Sequence, residues 1–532
     1  MMAGIVRRVA VAAMVLGGVG VMVGQVPVAG QAQDGSTPAY AMQVTSRLVL
    51  LDVVVTDAEG RFVPGLDVTK FRVEEDGVPQ GIRNFDAPEG HVMPAALRGK
   101  LVVNSSADLV KIGNAPVNVL VVDEINTPYM EIAYTQQMMV RFLMRQPKVL
   151  EQPTLLVAVG SKHLMVLHDF TQNREDLVAS VKTHVTEADF TAMLANLNGG
   201  SMVAEDGMLK TLSALMQVAT SVQGYPGRKN VIWMGPGYSR TLEVSRGLRG
   251  QPHSSAGAVV RLVTNRMLVA HITLYTIDPA GPYRPHSVGG PGGPGMDQAA
   301  TGGEEGDVYT APGRNATFHT FARSTGGTVI TGRNDLDAQI TKSEQQGSRY
   351  YTLAYTPAFN AGAKPEAFRK IQVMVDVPGV SVTTRNGYFG GREEVAQVMD
   401  NTAKTQPPAL VSDLLNAGRS QLVYTGLHSD AQRTKDGYAV NVQAKDLQWA
   451  VQGDGTRESE VTVMGACFDS KGKLLAQHAA ELREQIAPTD DIGGAAKVGF
   501  AFPFVVPPNT ARVRIVVRDA ATGTMGTVNA QL

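Results

Sequence analysis

Short apolar runs that alternate with helical stretches between residues 115 and 348 constrain the fold of this chain more than any other feature. The runs are "VNVLVVD", "TLLVAVGS", "LMVLHDFT", "NVIWMG", "ITLYTID" and "TVIT". Between most of these runs, apolar residues recur three and four positions apart, as they do on one face of a helix. This order predicts an open, mostly parallel sheet with helices on both faces.

The link between two of these runs indicates one antiparallel strand. "TLLVAVGS" and "LMVLHDFT" are joined by only two residues, Lys162 and His163. A parallel pair needs a crossover of a dozen or more residues, whereas so short a link closes an antiparallel pair. The prediction for 115–348 is therefore a six-stranded α/β sheet, mostly parallel, with one antiparallel edge strand.

The sequence on both sides of this α/β unit has β character. Residues 42–95 and 349–390 contain strand-like runs and turns, and each segment is too short to bury a core alone. We therefore expect the two segments to pair into one β domain. After a linker at 392–410, residues 411–532 contain several strands separated by turn signals, which predicts a β-sandwich.

The first 32 residues are predicted to be a secretory signal peptide. Arg7 and Arg8 precede an apolar run from Val9 to Gly24, and small residues follow it. The run is shorter than the ~20 residues that a spanning helix needs, so no membrane span is expected in the mature chain. An uncleaved anchor is the alternative. We predict a secreted, periplasmic or cell-surface protein exported through a Sec-type signal.

Composition and missing motifs exclude several functions. The 48 basic and 49 acidic residues give a formal net charge of −1, and no basic block stands out. Nucleic acid is therefore not an expected partner, because phosphate binding needs clustered lysine and arginine. The sequence has no His-Glu-x-x-His motif and no Gly-x-Ser-x-Gly elbow. We expect a protein that is not an enzyme.

Several blocks in order resemble the VWFA-related proteins frequent in acidobacteria, and more broadly the von Willebrand factor type A fold. The blocks are "LVLLDVVVTDAEGRFVPGLDVTKFRVEEDG", "VLVVDEINTP", "HDFTQNREDL", "GRKNVIWMGPGYS", "LYTIDPAG", "STGGTVI", "YYTLAYTP" and "VTTRNGYF". The resemblance covers roughly residues 46 to 390. It implies a central α/β Rossmann-like von Willebrand type A domain at 115–348 flanked by all-β domains. It also implies a binding or adhesion module with a protein partner.

Domains of this type often carry a metal-ion-dependent adhesion site at the top of the sheet. The resemblance implies Asp123 and Thr127 as ligands from the first loop and Ser201 from the second. Ile125 occupies the middle position of the first loop, and Pro236 stands where a third-loop aspartate is expected. A site stripped of these oxygens would bind Mg²⁺ or Mn²⁺ weakly, so the resemblance implies a degenerate site.

Helix capping without any metal or other cofactor is the alternative interpretation of the same residues. Aspartate and threonine after a strand and before a helix are common cap residues, and Asn126 or Thr127 would accept hydrogen bonds from the free N–H groups at the helix start. Pro128 just inside the helix supports this interpretation. Under either interpretation, Asn126, Gly235 and Gly237 are candidate residues for partner binding at this rim.

Three functional hypotheses follow from these patterns. The first is an exported protein-interaction or adhesion module that uses the top loops of the sheet. The second is a structural component of the cell envelope, assembled through its β domains. The third is a hydrolase whose site the sequence motifs do not reveal. The resemblance favours the first hypothesis.

Overall fold

The structure is a computed structural model, and the predicted signal peptide and linker lie outside the residues that it describes. Of 201–209, 255–259 and 319–320 it describes the backbone alone. The described residues are 48–94, 97, 99–160, 164–186, 201–237, 255–281, 318–357, 367–390, 414, 417–420 and 422–532.

The elements follow the order predicted for the central unit and its flanks. The α-helices are α1 Tyr129–Arg145, α2 Arg174–Thr183, α3 Ser201–Val222, α4 Ser255–Val269, α5 Phe318–Ser324 and α6 Leu336–Ser348. The first strands are β1 Val49–Thr56, β2 Phe71–Glu75, β3 Val78–Gln80, β4 Ile82–Asp86, β5 Val117–Asp123, β6 Val149–Val159, β7 Leu164–Asn173, β8 Lys229–Met234, β9 Ile272–Ile277 and β10 Val329–Ile330. The later strands are β11 Tyr351–Tyr355, β12 Phe368–Val375, β13 Ser381–Thr383, β14 Gly387–Phe389, β15 Ser429–Arg433, β16 Gly437–Gln443, β17 Ala450–Val451, β18 Arg457–Phe468, β19 Leu474–Ile486, β20 Lys497–Pro503, β21 Arg512–Asp519 and β22 Met525–Ala530.

The central unit contains a six-stranded sheet with the strand order β10-β9-β8-β5-β6-β7. All neighbours pair in parallel except β6 and β7, which are antiparallel, and β7 lies at the edge. The prediction of a six-stranded, mostly parallel sheet with one antiparallel edge strand is therefore confirmed. Every residue of β5 is buried, as expected for a strand covered on both faces.

Two hydrophobic cores cover the two faces of this sheet. Because side chains alternate along a strand, Val119 of β5 faces one core and Leu120 faces the other. Helices α3, α4 and α5 contribute to the first core, and α1, α2 and α6 to the second. Helix α1 buries one face at the spacing that predicted it, with Ile132, Thr135, Met138, Met139, Phe142 and Leu143 buried.

The strands of 49–86 and those of 351–389 are hydrogen-bonded to one another. Strand β1 lies between β11 and β13, and β11 also pairs with β4. Strand β2 lies between β12 and β3. Their apolar side chains share one core, to which Leu51, Phe71, Tyr351 and Ile371 all belong. The α/β unit is thus an insertion between β4 and β11.

The C-terminal residues form two sheets that share another core. One sheet has the order β15-β16-β20, and the other has β17-β18-β21-β22 with β19 paired to β18. Tyr438 and Phe500 from the first sheet are buried with Val463 and Ile515 from the second. This packing is that of a β-sandwich.

Both β regions contact the α/β unit at the amino ends of its parallel strands. Gln223, just after α3, donates to Thr524 Oγ1 over 3.3 Å. The backbone N–H of Arg228, before β8, donates to the Tyr350 hydroxyl over 3.3 Å. The carboxyl ends of these strands lie at the opposite side of the sheet. Within the described part of the chain, no helix is long and apolar enough to cross a membrane.

Candidate functional site

Asp123 lies at the point of the sheet where the strand order reverses. From β5 the chain continues to β6 and β7 on one side, whereas β8, β9 and β10 lie on the other. Asp123 is the last residue of β5, and Gly235 directly follows the neighbouring strand β8. Open α/β sheets bind ligands at such a switch point, outside the carboxyl ends of the strands. The residues around Asp123 are therefore the candidate functional site.

The carboxylate of Asp123 accepts hydrogen bonds from four N–H groups of its own domain. Oδ1 accepts from the backbone N–H groups of Ile125 and Asn126 over 3.1 and 3.0 Å, and from Asn126 Nδ2 over 3.1 Å. Oδ2 accepts from Asn126 Nδ2 over 2.9 Å and from Trp233 Nε1 over 3.1 Å. A carboxylate offers about four lone-pair positions, so these donors saturate it.

Burial sets the electrostatics of this carboxylate. Asp123 is 0% exposed, and this desolvation raises its pKa above the usual range of an aspartate. The hydrogen bonds from Asn126 and Trp233 oppose that rise because they stabilise the charged form. The internal N–H donors therefore stabilise the negative charge that a bound cation would otherwise stabilise.

Asn126 connects this carboxylate to helix α3. Its Nδ2 also donates to Thr211 Oγ1 over 3.0 Å, and Thr211 is fully buried. Sequence reasoning selected Ser201 as the hydroxyl of this loop. The structure places Ser201 at the start of α3, where only the backbone is described. Thr211 shares the buried face of α3 with Leu215, one turn further on, and that periodicity was the signal that could have found it.

Thr127 lies in the same crowded space but does not cap helix α1. Pro128 is the N-cap residue, and no side chain caps this helix, so the expectation that Asn126 or Thr127 would cap it, with Pro128 inside it, is wrong. Asp123 instead accepts the free N–H groups of the turn. Thr127 Oγ1 is buried and has no hydrogen-bond partner within the described residues.

The two candidate glycines, Gly235 and Gly237, pack closely against other residues at this edge of the sheet. A Cβ on Gly235 would lie 2.5 Å from Asp123 Cβ and 2.7 Å from Thr127 Oγ1, at a φ of +148°. A Cβ on Gly237 would lie 2.1 Å from Phe318 Cδ1. Such distances are shorter than van der Waals contact, so both positions require glycine and both pack inward.

The residues at this rim do not fit a hard cation. Mg²⁺ and Mn²⁺ need oxygen lone pairs, whereas the oxygens of Asp123 face N–H donors. Ile125, at a position where a ligand would be needed, packs against the hydrophobic core. In the part of the chain that the structure describes, no group of three or more His, Cys, Asp or Glu side chains is arranged to hold a metal. Of Asp123 and Thr127, the two proposed ligands from the first loop, Thr127 is the one whose side-chain oxygen has no hydrogen-bond partner among the described residues.

A second carboxylate at the same rim also has an internal partner. Glu124 Oε1 lies 2.5 Å from His184 Nε2, and both side chains are almost completely buried. His184 directly follows α2, so this contact holds the end of that helix at the rim. Of the two histidines near the short link between β6 and β7, His163 lies outside the described residues, and His168 Nδ1 lies 2.7 Å from the Asp169 carbonyl oxygen. Sequence reasoning missed His184.

Apolar side chains are exposed beside these buried polar groups. Tyr129 and Met130, at the start of α1, are 58% and 76% exposed, and Val185 is 83% exposed. Gln136 Nε2 donates to Thr186 Oγ1 over 3.2 Å, which holds the segment with Val185 near α1. We call Tyr129, Met130 and Val185 the apolar rim.

Comparison with known proteins adds little to this geometry. No family model and no curated protein matches the chain. Similar solved structures include proximal thread matrix protein 1 from the mussel byssus, at 8% identity and a TM-score of 0.22 over 49% of this chain. They also include the SpRpn10 VWA domain, at 12% identity and a TM-score of 0.15 over 31% of this chain and 88% of that domain. A von Willebrand factor type A protein from Catenulispora acidiphila gives 10% identity and a TM-score of 0.20 over 71% of this chain and 80% of that one.

The likeness to these structures carries no argument about fold or function, because the TM-scores lie far below 0.5. The chain also spans only 50% of the length of the mussel protein. The strand pairing and the contacts at the rim therefore carry the functional argument.

Proposed function

We propose that this chain is an exported, non-enzymatic binding protein that recognises a protein partner at the apolar rim without a metal ion. One observation carries the proposal: the fully buried Asp123 is saturated by internal donors, while Tyr129 and Met130 beside it are exposed. The resemblance of the sequence to the VWFA-related proteins of acidobacteria supports the same role, with a metal site that has degenerated.

The chemistry of the rim favours a protein partner with an apolar patch. Exposed apolar residues that cluster are more often interaction sites than single, scattered ones. Burying the side chains of Tyr129 and Met130 would contribute about 1.5–3 kcal/mol each before the entropic cost of association. The opposite end of the sheet already contacts the two β regions. Recognition is therefore assigned to the carboxyl end.

Export and the absence of catalysis are part of the same proposal. Arg7, Arg8 and the apolar run after them support secretion to the periplasm or the cell surface. Internal partners for Glu124 and Asp123 argue against their use as general acid and base. The proposed interaction needs no cofactor.

A quantitative pull-down from the cell envelope of the source organism tests the proposal. The bait is the chain without residues 1–32, and the captured partner is quantified for wild type and for Met130→Asp. Met144→Asp is the matched control, because Met144 lies on the same helix and is 51% exposed. We expect Met130→Asp to abolish capture, and Met144→Asp and added chelator to leave it unchanged. Equal capture by both variants, or loss of capture with chelator, would contradict the proposal.

A further inference from the structure

A surface cleft of about 730 Å³ lies in the C-terminal sandwich, far in sequence from the apolar rim. It lies where β18 ends and where β19 and β21 begin, so the turn between β18 and β19 forms one wall. The side chains that matter for its chemistry are Arg419, Phe468, Asp469 and Arg512.

Arg512 is held in place by an aromatic ring. It is the cross-strand neighbour of Phe468, and its guanidinium carbon lies 4.4 Å from the centroid of that ring. Phe468 is itself only 3% exposed, so the ring is a fixed platform. Stacking uses the face of the guanidinium and leaves its N–H groups, which lie in its plane, available to an acceptor.

Two arginines line the cleft, and its one carboxylate, Asp469, is engaged by backbone N–H groups. Asp469 Oδ1 accepts from the backbone N–H groups of Lys471 and Lys473 over 2.9 and 2.8 Å, so this carboxylate stabilises the turn. Both lysine side chains are exposed in that turn. Within the described residues, neither Arg419 nor Arg512 has a carboxylate within ion-pair distance.

We propose that this cleft binds a phosphate-bearing anion, with Arg512 and Arg419 as the principal donors and Lys471 and Lys473 as long-range attraction. The planar fork of arginine matches phosphate oxygens in a bidentate manner. Phosphate also concentrates more negative charge on one group than a carboxylate does, which suits a cleft with two arginines and two exposed lysines in the adjoining turn. Burial holds the pKa of Arg512 below its usual range, and a bound anion would offset that desolvation.

Isothermal titration of the full mature chain with pyrophosphate, in low salt and without other phosphate, tests the proposal. We expect Arg512→Gln to weaken binding by about tenfold or more, since it removes a charge-assisted pair of hydrogen bonds. Arg512→Lys keeps the charge but loses the fork, so it should weaken binding by a smaller factor. Arg419 is exposed, so Arg419→Gln tests the site without a risk to folding.

Arg483→Gln is the matched control. It changes the net charge of the same domain equally, but Arg483 is 63% exposed and already pairs with Glu460 over 3.0 Å. We expect its affinity for pyrophosphate to stay within about twofold of wild type, because screened surface charges contribute little. An equal loss in Arg483→Gln and Arg512→Gln would overturn the proposal, since it would reflect net charge alone.

A second measurement distinguishes the two sources of the phosphate group, a lipid headgroup and a soluble molecule. Co-sedimentation with phosphatidylglycerol vesicles, compared with phosphatidylcholine vesicles, detects a lipid headgroup as the ligand. Vesicle binding that Arg512→Gln abolishes supports a lipid source, and pyrophosphate binding without vesicle binding supports a soluble one. No binding in either assay, or citrate bound as tightly as pyrophosphate, would overturn the proposal.

Discussion

Buried charged side chains are compensated differently at the two ends of the six-stranded sheet. At the carboxyl end, Asp123 accepts hydrogen bonds from Ile125 and Asn126, which follow it directly, and from Trp233 on the next strand. At the amino end, Arg228 and Lys229 are also buried, and Arg228 Nη1 has no hydrogen-bond partner among the described residues. The carboxylate is satisfied within its own domain, whereas Arg228 also contacts the neighbouring β region. Its backbone N–H donates to the Tyr350 hydroxyl, and its guanidinium carbon lies 5.1 Å from the centroid of that ring.

The amino-end cations are only partly compensated. Lys229 donates to the Tyr225 carbonyl oxygen and lies 5.3 Å from the centroid of the Tyr225 ring. Arg228 Nη2 donates to the Tyr275 hydroxyl over 3.0 Å, but its Nη1 has no hydrogen-bond partner among the described residues. Buried Lys229 at the amino end of the sheet should therefore make the stability of the protein depend on pH.

The largest effect is expected from removing the saturated carboxylate. Asp123→Ala leaves Trp233 Nε1 and two backbone N–H groups buried without their acceptor, so the free energy of unfolding should fall by about 4 kcal/mol. Urea unfolding followed by circular dichroism measures it. Mg²⁺, Mn²⁺ and chelator should leave the Tm of the wild type unchanged. A metal-dependent rise in Tm that Asp123→Ala abolishes would contradict the conclusion that internal donors saturate this carboxylate.

The next effect concerns pH and the buried lysine. Burial lowers the pKa of Lys229 to about 7 from 10.5, so the native state binds fewer protons than the unfolded state between these values. Stability should therefore rise as the pH increases from about 7 toward 10.5. Lys229→Met should raise the free energy of unfolding at pH 6 by about 3 kcal/mol and flatten that rise.

Glu344 provides a control, because its contribution to stability changes with pH in the opposite direction to that of Lys229. Burial raises its pKa to about 7 from 4.5, although Asn118 donates to its Oε1 over 2.7 Å. The native state binds more protons than the unfolded state in this window, so its contribution falls as the pH rises from about 4.5 to 7. Glu344→Gln should stabilise the protein above pH 7, where Lys229→Met gains least. If the two variants show the same pH dependence, the assignment to these groups is wrong.

The smallest effect is the difference between two glycine substitutions, one at a closely packed position and one at an open position. Gly235→Ala should destabilise by about 2 kcal/mol, because the new methyl group meets Asp123 and Thr127. Gly65→Ala, at a φ of +76° with nothing within 4 Å, carries the backbone strain alone and should cost about 1 kcal/mol. Thermal unfolding of both variants gives the difference, and equal losses would show that the rim is not tightly packed.

The sheet was predictable because its signals are local. The apolar runs predicted β5, β8 and β9, and the two-residue link predicted the antiparallel β7. The position of Asp123 at the end of β5 followed from the same pattern. Each of these inferences needed only neighbouring residues and the period of the element.

The partners of the rim were not predictable because they come from distant segments. Trp233 lies 110 positions from Asp123, Thr211 lies 85 from Asn126, and His184 lies 60 from Glu124. No periodicity within one element relates these pairs. The capping interpretation was wrong for a related reason: it assumed that polar residues before a helix serve that helix, whereas here Asp123 serves its own turn.

The interleaved β domain also sets an order of assembly for a nascent chain. Strand β1 leaves the ribosome early, but Thr352, whose hydroxyl donates to Asp52 of β1, follows 300 positions later. Until β11 and β13 emerge, the Val- and Leu-rich β1 has neither of its neighbours. The inserted α/β unit has all six of its strands before then and is free to fold first. A chaperone that binds the unfolded nascent chain should therefore bind the stretch around Val49–Thr56 before it binds the rest of the protein.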